Sequence, residues 1–264
     1  MEEQLKIDPT IAYDVVELPS RGIHYINQKK SVRVSYLTAA DEDILAAPNL
    51  IQSNSTLDEL LRRKILDRDI ELEDIIEEDR QAILIFLRNT AWGSDYKLTL
   101  IDPKPKEGYK YIDDGDGIKG KFEQIIDLSS MKMKDFTLES DSNGEYPFFL
   151  PKVKLNITFK FLTQKQEKEI ENITKTWKSD GIPPTKSKEL QLMIKSVDGN
   201  RDPMQIRSFI VDKMPIKDSQ EFKKYVIKNK PGLDLTQKII APSGEEITTN
   251  VGFGVEFFRP FYGI

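Results

Sequence analysis

Apolar and polar residues alternate over Val32–Leu37 (VRVSYL), Tyr96–Ile101 (YKLTLI) and Val153–Leu162 (VKLNITFKFL), the period of a half-buried strand. Phe122–Leu128, Leu235–Ala241 and Glu246–Val251 also read as strands, the last two joined by the turn Pro242-Ser243-Gly244. Between them the period lengthens to that of helices. Leu57, Leu60, Leu61 and Ile65 share one face of a helix starting near Ser55/Thr56, and Ile83, Leu84, Phe86 and Leu87 mark a core helix over about Glu77–Trp92, stopped by Gly93. A short helix reaches about Ala47, and others are predicted over Thr163–Lys178, Ser187–Val197, Asp202–Lys213 and, capped by Asp218 with Glu221, on to Lys228. Glu17–Tyr25 reads as a turn, with Pro19 fixing φ and Gly22 free to make it positive.

The order repeats. Tyr36–Glu42 (YLTAADE) faces Phe161–Glu167 (FLTQKQE), and in each the Thr after the strand, with Asp41 or Gln166 three residues on, forms a capping box. Leu57–Asp67 (LDELLRRKILD) faces Lys188–Asp198 (KELQLMIKSVD). The irregular, polar Leu128–Gly144 separates the copies. The expected fold is α+β: two related lobes, residues 1–128 and 145–264, each a small β-sheet or hairpin with a cluster of three to four helices.

Composition narrows the chemistry. There is no cysteine, which excludes disulfides, thiolate metal ligands and a cysteine nucleophile, and His24 is the single histidine, which excludes a two-histidine metal site. Phosphate-binding glycine loops and GxSxG strings do not occur. His24 sits in a Pro/Gly turn away from any nucleophile motif, so it reads as a surface or satisfied residue. The loop Asp113-Asp114-Gly115-Asp116-Gly117 suggests a cation, but no register supplies both the sixth-position Gly and the twelfth-position acid of a calcium loop, and it reads as a solvated turn. Neither catalytic residues nor cofactors are expected.

Charge divides the chain more than the net value of -5 shows. Asp41–Arg80 holds 13 acids and 5 bases, whereas Lys152–Lys238 holds 19 bases and 11 acids, so the halves are expected to carry opposite fields. Asp74, Glu77 and Glu78 on one half, and Lys223 and Lys224 on the other, are candidate partner contacts. At the aromatic end, Phe253–Phe258 is expected to close a core, leaving Phe261 and Tyr262 as further contacts. No apolar run approaches a membrane span and the start lacks the signature of a signal peptide, so the expected location is the cytoplasm.

The succession LPSRGIHY, VSYLTAADEDILAAPNLI, LDELLRRKILD and EDRQAILIFLRNTAWGSDY resembles the baseplate hub proteins of T4-like contractile-tailed bacteriophages, most closely over Leu18–Tyr96 and more thinly over Thr163–Pro260 (FIVDKMPIKDSQEFKKYV, EFFRP). The resemblance implies a non-enzymatic part in the tail, as a baseplate hub subunit or as a hub assembly chaperone near the tape measure protein. It implies other tail proteins as partners, and a location in the host cytoplasm during assembly or in the virion baseplate. Relatives often carry Cys-x-x-Cys pairs in two hairpin loops; here Ile101–Lys106 (IDPKPK) and Ile240–Glu246 (IAPSGEE) contain no thiol, so these hairpins are expected to hold by Pro and Gly turns and by packing. The alternative, from a different class, is a nucleic-acid-binding module using the Lys-rich C-terminal half, since lysines neutralise phosphates; acids dilute those lysines and the pI is about 5.3, so a protein partner is the expected one and nucleic acid is not.

Overall fold

The computed structural model describes residues 10–25, 27–47, 55–177 and 181–258. The fold is α+β, with small antiparallel sheets against groups of helices. In the first lobe β1 (Tyr13–Glu17) pairs with β2 (Ser31–Ser35), which runs through Thr38 into α1 (Ala39–Ala46). The capping box forms as expected: the Thr38 N–H donates to the Asp41 carboxylate at 2.7 Å. After α2 (Thr56–Lys64), Ile65 returns beside Val34 as an antiparallel bridge. A 3-10 turn at Leu72–Asp74 leads to α3 (Glu77–Trp92), which buries Ile83, Leu84 and Leu87 completely and stops at Gly93, φ 80°. β3 (Asp95–Ile101) and β4 (Lys121–Asp127) close as a hairpin.

The second lobe repeats this plan. β5 (Tyr146–Leu150) pairs with β6 (Leu155–Phe159), the Thr163–Gln166 box opens α4 (Gln164–Thr176), and α5 (Thr185–Met193) returns as β7 (Ile194–Val197) beside β6. Then come α6 (Pro203–Ser208), a π-turn at Phe209–Lys213, α7 (Ile216–Asn229) and the hairpin of β8 (Thr236–Ile240) and β9 (Glu246–Asn250).

Four local expectations change. β1 forms within what reads as an N-terminal tail, because only Val16 of its five residues is buried and the alternation is masked. β5 occupies a stretch that carries no expected strand. The helix expected over Ser187–Val197 ends at Met193, since Ile194–Val197 gains more by pairing with β6 and burying Ile194 and Ser196. Asp218 is not a cap: Pro215 takes that place, and Asp218 is the third residue of α7.

The apolar residues gather in two clusters. One holds Leu18, Val34, Leu60, Leu61, Ile75 and the inner face of α3; the other holds Tyr146, Ile157, Phe159, Phe161, Ile194, Phe209 and Phe222. The expected division at 128–145 separates them only as far as Val226. Beyond it Leu233, Ile239, Val251, Phe257 and Phe258 pack in the first cluster, where Phe257 meets Tyr96 with ring centroids 5.1 Å apart and Phe258 meets Trp92 at 6.0 Å. The return path is zipped to the connecting segment, with the Lys134 N–H on the Gly232 carbonyl and the Asp234 N–H on that of Lys132, each 2.8 Å.

Candidate functional site

The stretch Leu18–Tyr25 links β1 to β2, and its turn requires glycine. Gly22 sits at φ 74°, and a Cβ there would lie 2.5 Å from the Lys29 carbonyl carbon. The turn points Ser20 and Tyr25 inward at α3. Asp79, fully buried as the third residue of that helix, accepts the Ser20 N–H at 2.8 Å, the Ser20 hydroxyl at 2.5 Å and the Tyr25 hydroxyl. Burial pushes the Asp79 carboxyl up to about 6, against hydrogen bonds that favour its charged form, and burial beside Asp79 pushes Tyr25 well above its ordinary value.

The neighbouring side chain serves the other lobe. His24 lies among Phe161, Tyr146 and Phe136, with ring centroids at 5.2, 5.7 and 6.3 Å. The ring is therefore half-buried rather than free on the surface, and among the described residues its buried Nε2 has no hydrogen-bond partner. Burial, with Lys160 nearby, lowers its pKa to about 4, so the ring is neutral. Adjacent residues of one turn thus enter two different cores.

Polar bonds extend this joint. Asp58 of α2, 3% exposed, accepts Arg80 of α3 at 3.2 Å and, from α4, Gln164 at 2.5 Å and Lys168. The Gln164 N–H donates to the Ile75 carbonyl at 3.0 Å, and Glu78 pairs with Lys230 at 2.7 Å. Glu167, pushed up to about 7 by burial and by the charges of Glu77 and Glu78, lies at the same seam. What this arrangement does chemically is fasten two bodies together.

The expected contact residues are divided by these bonds. Asp74 and Lys224 stand exposed. Glu77 is half-buried and bonded to Arg80 and Gln81; Glu78 is buried at the seam, which removes it from the surface. Lys223 is half-buried and paired with Glu189 at 3.0 Å. Phe261 and Tyr262 lie outside the described residues. In the Asp113–Gly117 loop the Lys121 ammonium is held by Asp114 at 2.8 Å and by Asp116, and Asp113 accepts the Gly115 N–H, so a lysine occupies the place a cation would take. Among the described residues no three acids or histidines gather as metal ligands do, and no helix is long and apolar enough to cross a membrane.

The two hairpin tips meet through more than turns and packing. Asp102, after β3, accepts the Ser243 N–H at 2.9 Å, the Ser243 hydroxyl at 2.5 Å and the Tyr111 hydroxyl at 2.7 Å. Burial opposes its ionisation, but the bonds from Ser243 and Tyr111 outweigh it and hold the carboxyl at about 2.

Sequence reasoning missed Ser20, Tyr25, Asp58, Asp79, Asp102 and Asp218 as structural ligands. One signal was present. Asp79 and Asp218 are both third in the last helix of their copy, and Asp218 accepts the N–H groups of Lys152 and Val153, from the β5–β6 turn, at 2.8 and 3.0 Å. The same device thus serves both lobes, a point in favour of duplication. No protein-family model, curated protein or solved structure matches the chain.

Proposed function

We propose that the protein is a non-enzymatic component of a contractile phage tail, a baseplate hub subunit or a chaperone of hub and tape-measure assembly, acting through protein–protein contacts in the host cytoplasm during assembly. The observation that carries this reading is the use made of Leu18–Tyr25, which opens the stretch over which the resemblance is firmest. Its polar side chains are spent inward, Ser20 and Tyr25 on Asp79, while His24 enters the second core. A motif that lines one side of a cleft of about 490 Å³ with Arg21, Ile23 and His24, and otherwise fixes one lobe on another, suits a part that seats neighbours in a defined geometry.

Co-expression of the tagged protein with the hub and tape measure proteins of the same phage tests this. Co-purification with at least one of them at moderate salt is expected, and recovery of none would sink the reading. Presence in purified mature tails would then mark a hub subunit, and absence a chaperone. The nucleic-acid alternative draws less support, because Lys168, Lys188, Arg201, Lys223 and Lys230 each hold a carboxylate of this chain.

A further inference from the structure

The two lobes differ most at one place. Asp79 follows Ile65, the bridge partner of Val34, by 14 positions; Asp218 follows Ile194, the partner of Phe159, by 24. The extra residues are α6 and the π-turn, in which the Met214 N–H reaches the Phe209 carbonyl at 2.8 Å. π-Turns are rare and concentrate at functional sites. This one turns Phe209 and Ile210 into the core and leaves Val211 outside at 57% exposure, near Met204 at 81%.

Between this segment and α5 with β7 runs an open groove of about 810 Å³. Its counterpart in the first lobe, between α2 and the 3-10 turn, has only about 200 Å³ and is lined by Asp67, Glu71 and Glu73 as well as Arg62 and Arg68. The larger groove has the opposite character: Lys188, Lys195, Arg201 and Arg207 face it against Asp212 alone. Glu169 neutralises Lys188 at 2.7 Å and Glu145 neutralises Arg201 at 2.8 Å. Among the described residues, Arg207 stands exposed with no carboxylate within ion-pair distance, and the half-buried Lys195 has none either, its ammonium donating to the Leu192 carbonyl at 2.7 Å. The insertion therefore built an apolar floor and rim with uncompensated positive charge beside it.

We propose that this groove receives an acidic amphipathic helix of a protein partner, its apolar stripe on Leu192, Met204 and Val211 and its carboxylates toward Lys195 and Arg207. This rests on reading the chain as a binding protein, but not on the phage-tail setting. One free guanidinium, a lysine already holding a backbone carbonyl and exposed apolar side chains fit such a helix better than a run of phosphates.

The probe is a labelled synthetic helical peptide with a leucine stripe on a glutamate-rich background, titrated with the full-length protein and followed by fluorescence anisotropy. Saturable binding is expected at low salt, weakened roughly tenfold at high salt or by Arg207→Glu, and lost in Met204→Asp. A lysine-background peptide and a scrambled acidic peptide should not bind. Both substituted side chains are exposed, so unchanged circular dichroism and melting will show intact folding, and Lys97→Glu, on the β3–β4 hairpin, should leave binding unaltered. No binding of the striped acidic peptide, equal binding of the scrambled one, or full affinity in Met204→Asp and Arg207→Glu overturns the proposal. So does self-association abolished by the same two substitutions, which would give the groove to a second copy, or displacement of the peptide by a single-stranded oligonucleotide. Peptide binding without co-purification of any tail protein would fail the tail reading alone.

Discussion

Asp79 and His24 titrate in opposite senses across one pH window, and each leaves its own mark on stability. Asp79 is raised from 3.8 to about 6, so between those values the folded state carries the extra proton. Its contribution is therefore fully present below about pH 4, declines as the pH rises to about 6, and is flat above; a shift of this size corresponds to at most about 3 kcal/mol. Asp79→Asn has no such decline. Its thermal midpoint relative to the wild type should improve between pH 4 and 6, whereas a difference independent of pH would mean that the carboxyl is ionised throughout. His24 is lowered from 6.5 to about 4, so the unfolded chain binds the extra proton and stability is lost as the pH falls through that range. His24→Phe, which keeps the ring packing, should gain on the wild type as the pH falls from 6.5 to 4. Parallel melting curves for the two proteins would contradict it. The turn that presents these residues was legible from Pro19 and Gly22, but their directions were not, because nothing in a local string says that adjacent side chains enter different cores.

At the scale of elements, each lobe ties its β-turn to its last helix through one buried carboxylate at the third helical position. In the second lobe Asp218→Ala would leave the Lys152 and Val153 N–H groups without their acceptor, at a cost of about 2–4 kcal/mol. Urea unfolding should show that loss, and amide exchange should quicken at the β5–β6 turn before other strands; a loss below about 0.5 kcal/mol would mean water replaces the carboxylate without penalty. Elements with strong local signals were readable. α3 has its predicted limits, Glu77 and Trp92, because its apolar positions and Gly93 stop suffice, and both capping boxes formed. β7 was not readable, since its four residues follow a helix without a breaker and become a strand only when β6 lies beside them.

Across the whole molecule, part of the charge division is consumed in joining the lobes. The acid-rich stretch Asp41–Arg80 gives Asp58 and Glu78, and the base-rich half answers with Lys168 and Lys230. Asp41 and Asp67 are likewise buried against cations of their own lobe, Lys64 and Arg33. The opposite fields expected from the sequence are thus turned partly inward. Asp58→Ala would leave the buried Gln164 amide without its acceptor and remove one carboxylate from Arg80, which keeps Glu77, and from the part-exposed Lys168, at a cost of about 1–3 kcal/mol. Calorimetry should then resolve the second cluster melting before the first; a single transition with an unchanged midpoint would mean that apolar contact and backbone pairing hold the lobes without this clasp.

The sequence by itself determined the α+β class, the succession of most helices and hairpins, the capping boxes and the order shared by the two halves, because each depends on periods and caps spanning a few residues. Tertiary structure alone decided that the last hairpin returns to the first core, that Asp102 joins the two hairpin tips, and that a ten-position difference between the lobes opens a groove in one. Those outcomes depend on contacts between residues as far apart as Asp102 and Ser243, whose partners no local pattern specifies.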